Sequence, residues 1–182
     1  MSLIGFPAQN HPQQVGKRAA RDAVDDRGTA PEHFEAFDAE FGPFTLDVAA
    51  APHNAKCELF YTREDDGLEQ QWNGVVWCNP PYSDLGAWVE KAWFEWQSGR
   101  CRRIVMLVPA NRTEQRWWQQ WVEQDRDRGD ADDGETRFTV RFLPGRMRFI
   151  RPNVVIGPKG DRPPFGCCLL IWQRIPSSEA VA

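Results

Sequence analysis

One stretch near the middle of the chain restricts its fold more than any other. Gly74-Val75-Val76-Trp77-Cys78 is a short apolar run that stops at Asn79-Pro80-Pro81-Tyr82, where two prolines suit neither a ladder nor a helix. Leu85, Trp88, Val89, Ala92, Trp93 and Trp96 then recur at the spacing of an amphipathic helix. Arg103 to Val108 follows as an apolar strand closed by Pro109. Strand, stiff corner, helix, strand is the order of a crossover between parallel strands, so the centre of the chain reads as α/β.

The flanks extend this pattern. Residues 1–27 are polar and aperiodic and are expected to be a flexible tail, with a domain over 28–175 and a second tail over 176–182. Thr29 with Glu32 is a capping-box pattern, and Pro31 fits a first helical turn. Phe34, Phe37 and Phe41 follow at helical spacing, and Gly42-Pro43 ends the helix. Phe44 to Ala50 reads as a buried strand and Glu58 to Thr62 as a second one. Asn111 opens a helix carrying Trp117, Trp118, Trp121 and Val122, and 124–135 is a charged loop. Arg137–Leu143 and Arg146–Ile150 read as strands joined at Pro144-Gly145, before a final strand over Phe165–Trp172. The expected architecture is a compact α/β sandwich on a largely parallel sheet. Ligands of such sheets bind beyond the carboxyl ends of the strands, where Asp47, Asp65, Asp66 and Asn79 all fall.

Composition removes several classes. A chain of 182 residues that is 41% apolar can bury a core as one domain, and its apolar runs are too short to span a bilayer. The start carries no basic-then-apolar leader pattern, so a cytoplasmic protein is expected. Five cysteines form no CxxC pair and three histidines are scattered, which predicts reduced thiols and no metal. A net charge of −4 argues against a general nucleic-acid binder, but Arg137 to Arg162 is a basic segment beside the acidic loop. Arg112, Arg146 and Arg148 are candidate phosphate contacts, with solvated strand charges as the alternative.

The Asn-Pro-Pro-Tyr corner suits one chemistry well. An aromatic amino group is a poor nucleophile because its lone pair is delocalised into the ring. An amide oxygen and a backbone carbonyl aimed at its hydrogens favour the pyramidal, developing-positive nitrogen of a methyl-transfer transition state. Asn79 supplies the amide, Pro80 supplies a carbonyl, and Pro81 fixes where that carbonyl points. Tyr82 offers a face for a base drawn out of a helix.

With Thr29-Ala30-Pro31, Phe44 to Ala50, Asp65-Asp66-Gly67-Leu68, Val108 to Thr113, Phe142 to Phe149 and Pro164-Phe165-Gly166, this corner resembles the phage-type DNA N6-adenine methyltransferase (Dam) family over about residues 28–173. The resemblance implies a Rossmann-like methyltransferase fold in a three-layer sandwich, S-adenosylmethionine as donor, and the N6 of adenine in DNA as acceptor. It implies catalytic roles for Asn79, Pro80, Pro81 and Tyr82. It places Asp47 at the methionine amino group, Ala49 beside it, Asp65 or Asp66 at the ribose or adenine, and Thr29 and Pro31 at the methionine end. It also implies action inside a bacterial or phage-infected host cell. The loop Ala49-Ala50-Ala51-Pro52-His53-Asn54 departs from the glycine-rich loop of many methyltransferases.

Bland alternatives stand beside these roles. Asp47 also reads as a turn or cap residue, Asp65 and Asp66 as a solvated turn, and Thr29 as a helix cap. Two rival functions are a methyltransferase acting on RNA or a protein glutamine, and a non-catalytic single-strand binding module that uses Trp and Arg.

Overall fold

Alternation along one strand organises the molecule. In the computed structural model, which describes residues 28–126, 136–150 and 163–174, β4 (Cys101–Pro109) turns Ile104, Met106 and Val108 to one face and Val105 and Leu107 to the other. Both sets are fully buried, so apolar layers cover both faces of the sheet. The remaining elements are β1 (Gly28–Thr29), α1 (Pro31–Phe41), β2 (Leu46–Asp47), β3 (Gly74–Cys78), α2 (Leu85–Gln97), α3 (Arg116–Trp121), β5 (Thr136–Phe142), β6 (Phe149–Ile150) and β7 (Cys167–Arg174). The expected tails and residues 127–135 of the charged loop lie outside the described residues.

The main sheet runs β2-β3-β4-β7-β5. β2, β3 and β4 pair in parallel, whereas β7 is antiparallel to both β4 and β5. The sheet is therefore mixed, with β7 alone reversed among its five strands. One face carries Phe37, Phe41 and Phe44 from α1 and its exit. The other carries Leu85, Trp88, Val89, Ala92 and Trp93 of α2 with Trp118 of α3. The apolar stripe read from the sequence is the face that α2 buries. None of the nine tryptophans is exposed and six are buried, so most of them serve the core rather than a stacking platform.

Four local expectations are corrected. Thr29 does not cap α1: Ala30 holds that position without a side-chain cap bond, and Thr29 belongs to β1 instead. Glu58–Thr62 forms only a bridge of Phe60 to Asp47, though backbone bonds from Asp47 N–H to Leu59 and from Tyr61 N–H to Asp47 lay it along β2. The helix expected from Asn111 begins at Arg116. The strands on either side of Pro144-Gly145 do not pair with each other. β5 takes β7 as its partner, while β6 crosses to β1, matching Thr29 with Phe149 and Gly28 with Ile150. Gly145, at φ 71°, makes the bend that separates them.

Candidate functional site

The parallel strands deliver their ends to one edge. β2 ends at Asp47, β3 runs into Asn79, and β4 runs into Ala110 and Arg112. β7 begins at the same edge, where Cys167 pairs with Pro109 and Ala110 N–H donates to Gly166. A small cavity opens there, lined by Gly28, Thr29, Asp47, Ala49, Asn54, Lys56, Trp77 and Asn79. Thr29, Asp47, Ala49 and Asn79 are thus brought together from three separate stretches of sequence. Gly28, Asn54, Lys56 and Trp77 join them without having been marked by the sequence.

Asp47 is buried, and its carboxylate organises the loop that follows it. Oδ1 accepts the Ala49 N–H at 3.3 Å and Oδ2 accepts the Lys56 N–H at 3.0 Å. Asn54 Oδ1 accepts the Ala51 N–H at 2.7 Å, and Ala55 N–H donates to Ala51, so 51–55 forms a turn. The missing glycines cost nothing, because among the described non-glycine residues only Asp66 has a positive φ. Burial pushes the Asp47 carboxyl up to about 6, against the lowering effect of those two amides and of the Lys56 charge. Burial also pushes the half-buried Lys56 ammonium down, against Asp47, Glu32 and Glu35. Thr29 is 1% exposed, and its hydroxyl has no hydrogen-bond partner. A buried hydroxyl without a partner is a free-energy cost, and Thr29 is also one of the residues that line the cavity.

The corner after β3 lies against this cavity. Asn79 is half-buried, Pro80 is buried, and Pro81 O accepts the Asp84 N–H at 3.3 Å on the way into α2. The half-buried Tyr82 ring meets Phe149 edge-on at 6.3 Å and Phe165 at 6.2 Å. Phe149 is the β6 residue opposite Thr29, so one short ladder connects the Tyr82 ring to the cavity wall.

Other candidates fall outside the cavity. Pro31 is exposed at the start of α1. Asp65 is exposed, and its Oδ2 takes the Thr62 N–H and hydroxyl, both at 2.8 Å. Asp66, also exposed, has φ 54° and accepts the Leu68 N–H at 3.2 Å. The turn they form still abuts the end of β2, since a Cβ on Gly67 would lie 2.2 Å from the Val48 carbonyl oxygen. Arg148 pairs with Glu32 at 3.6 Å, and its N–H donates to His33 Nε2 at 3.4 Å. Arg146 is exposed and Arg112 half-buried, both near the sheet edge. All five cysteines are free, and four are buried. Among the described residues no group of His, Cys, Asp or Glu could hold a metal, and no helix is long and apolar enough to cross a membrane.

Comparison with known proteins gives a concordant result. Residues 17–179 match the family described as DNA N-6-adenine-methyltransferase (Dam). The DNA N-6-adenine-methyltransferase of Escherichia phage T1 is 33% identical over 170 residues, covering 87% of this chain and 67% of that protein. The enzyme of the same name from Haemophilus phage HP1 (strain HP1c1) is 45% identical over 42 residues, covering 22% of this chain and 24% of that protein.

Proposed function

The chain belongs to the DNA N-6-adenine-methyltransferase (Dam) family, and from that membership we propose that it transfers a methyl group from S-adenosylmethionine to the N6 of adenine in DNA. In this reading the mixed sheet is the Rossmann-like sheet of a methyltransferase, and the enzyme works in the cytoplasm of a bacterial or phage-infected cell. The observation that carries the reading is the meeting of Asp47 and Asn79 around one cavity at the carboxyl edge of the sheet.

The cavity fits the donor on its own chemistry. Its wall holds a buried carboxylate for an ammonium and an orphaned hydroxyl for a polar tail. When bound, S-adenosylmethionine supplies a methyl group made electrophilic by the sulfonium. Asp47 faces the amino group of the methionine end, with Thr29 and Ala49 beside it. The turn at Asp65 and Asp66, packed on Val48, lies towards the ribose and base, while Pro31 fixes the start of α1 behind Thr29.

Asn79 Oδ1 and the Pro80 carbonyl accept the hydrogens of the adenine amino group. They would thereby stabilise the amino nitrogen as it becomes tetrahedral and positively charged in the transition state. Tyr82 stacks on the extruded base, which lies next to the corner only when it is out of the helix. Arg112, Arg146 and Arg148 contact phosphates. Acceptor and donor meet across the corner, so positioning contributes much of the acceleration, up to about 7–11 kcal/mol at the limit.

Incubation with methyl-labelled S-adenosylmethionine and unmodified DNA, followed by nucleoside mass spectrometry, tests the reading. N6-methyladenine is the expected product. Label appearing in cytosine, or no label in the DNA at all, would overturn it.

A further inference from the structure

The loop after β4 leaves the sheet at the same edge as the Asn79 corner. Ala110 N–H donates to Gly166 there, and residues 111–115 lead into α3. Three hydrogen bonds hold this loop. Gln115 N–H donates to the Arg112 carbonyl and Gln119 N–H to the Gln115 carbonyl, both at 3.1 Å, and Gln119 Nε2 donates to the Thr113 carbonyl at 2.7 Å. Trp117 ties the loop to the corner: a Cβ on Gly86, in the first turn of α2, would lie 3.3 Å from Trp117 Cβ. The Trp117 indole N–H in turn donates to Gln115 Oε1 at 2.7 Å. That bond orients the Gln115 amide, whose Nε2 hydrogens have no partner among the described residues. Gln115 is half-buried and stands between the exposed Glu114 and Arg116.

Resting on the reading of the chain as a DNA adenine methyltransferase, we propose that Gln115 sets sequence specificity by reading the N7 edge of a purine that flanks the target adenine. A glutamine amide donates to N7 through Nε2, and its oxygen keeps a second lone pair for the amino group of an adenine. Of the two side-chain amides in the loop, Asn111 and Gln115, only Gln115 is held by a described partner. An amide already oriented by an indole loses little rotamer freedom on binding, and a loop already tied by backbone bonds needs little ordering. The path from the corner through Gly86 and Trp117 to Gln115 is short, so the base within reach is a neighbour of the flipped one. Arg112 and Arg116 flank Gln115 against the single acid Glu114. Phosphate contacts from these arginines fix the register in which the amide reads its base.

A pool of duplexes with randomised bases around one adenine tests this. The full chain methylates the pool with S-adenosylmethionine, and sequencing of N6-methyladenine gives a preference at each position. The wild-type protein should favour a purine at one flanking position. Gln115→Ala should reduce that preference by about tenfold and leave the other positions as they were. Gln115→Glu keeps an acceptor for the Trp117 indole but loses both donors, so it should move the same position towards cytosine, whose N4 amino group donates. Each preference is a ratio within one reaction, so a smaller folded fraction does not alter it. An unchanged preference in Gln115→Ala, a loss spread evenly over all positions, or a purine retained in Gln115→Glu overturns the assignment. A wild-type protein that methylates adenine without a flanking purine preference overturns this proposal alone. One that leaves no N6-methyladenine in any duplex overturns the methyltransferase reading, and this proposal with it.

Discussion

Asp47 accepts the backbone N–H of Lys56 at 3.0 Å, so the residue at the end of β2 also closes the loop that carries the cavity's cation. Structural and ligand-binding duties meet in one carboxylate. The turn-forming and cofactor-binding readings of Asp47 are thus compatible, because each oxygen accepts one amide and keeps a second acceptor site.

That carboxylate sets a pH dependence for ligand binding. Burial raises the Asp47 pKa from 3.8 to about 6, so the side chain is largely protonated at pH 5 and ionised at pH 7.5. Because the folded pKa lies above the unfolded one, the folded state holds the extra proton between those values. Its stabilising effect is complete below 3.8 and is lost as pH rises to about 6, a change on the order of 3 kcal/mol. An ammonium ligand needs the ionised form. Affinity for S-adenosylhomocysteine should therefore be about tenfold weaker at pH 5 than at pH 7.5. Calorimetry at both values checks this, and Asp47→Asn should flatten the difference while lowering affinity throughout.

Thr29→Val tests whether the orphaned hydroxyl is kept for a ligand. Valine has nearly the same shape and removes a buried group that lacks a partner. The free protein should become more stable by about 1 kcal/mol, read from its urea midpoint. Affinity for S-adenosylhomocysteine should fall at the same time. A variant that loses stability and keeps affinity would mean that the hydroxyl serves the fold.

The sequence made the centre of the molecule legible and its rim much less so. Gly74 to Cys78 and the stripe from Leu85 to Trp96 announce themselves, because a strand or helix buried against a core must repeat its apolar residues at its own period. Asn79 and Asp47 stand out because such runs stop at them. Lys56 and Asn54 carry no periodic signal, and they enter the cavity only because Asp47 folds their loop back. Thr29 looked like a cap because the capping pattern is local. Its real partner, Phe149, lies far along the chain, and pairing at that separation leaves no mark in spacing. Asp65 matched the family pattern, yet its Oδ2 is occupied by Thr62 in its own turn.

Gly67 carries a prediction the sequence did not suggest. A Cβ there would lie 2.2 Å from the Val48 carbonyl oxygen and 3.0 Å from the Trp88 ring. Gly67→Ala must push the acidic turn away from the end of β2. The expected cost is about 1–3 kcal/mol of stability, measured by denaturant unfolding, together with weaker binding of the adenosine part of the donor. Methylthioadenosine, which lacks the amino-acid end, isolates that second effect.

Asn79 and Tyr82 should separate chemistry from base capture. Asn79→Ala removes one acceptor from the amino group and should lower the methyl-transfer rate about 10²–10³-fold with donor affinity largely intact. Tyr82→Phe keeps the ring against Phe149 and Phe165 and should be mild, whereas Tyr82→Ala removes it. With 2-aminopurine in place of the target adenine, the fluorescence rise on flipping should persist in Tyr82→Phe and vanish in Tyr82→Ala. Equal loss in both variants would give the role to the hydroxyl instead.

The two arginines of the 145–149 segment should differ in kind. Arg146 is exposed beside Gly145, whereas Arg148 is shared with Glu32 at 3.6 Å. A phosphate contact made by Arg146 releases a counterion, so Arg146→Ala should reduce the slope of log K against log salt by about 0.9 for duplex DNA. Arg148 must first give up its bond to α1, and a partly exposed pair of this kind is worth only about 0–1 kcal/mol. Arg148→Ala should therefore still weaken DNA binding, though by less, and Glu32→Gln should strengthen binding through Arg148 by releasing it. Salt titrations of the three variants by fluorescence anisotropy read all of these effects. An unchanged slope in Arg146→Ala would take the DNA away from this edge of the sheet.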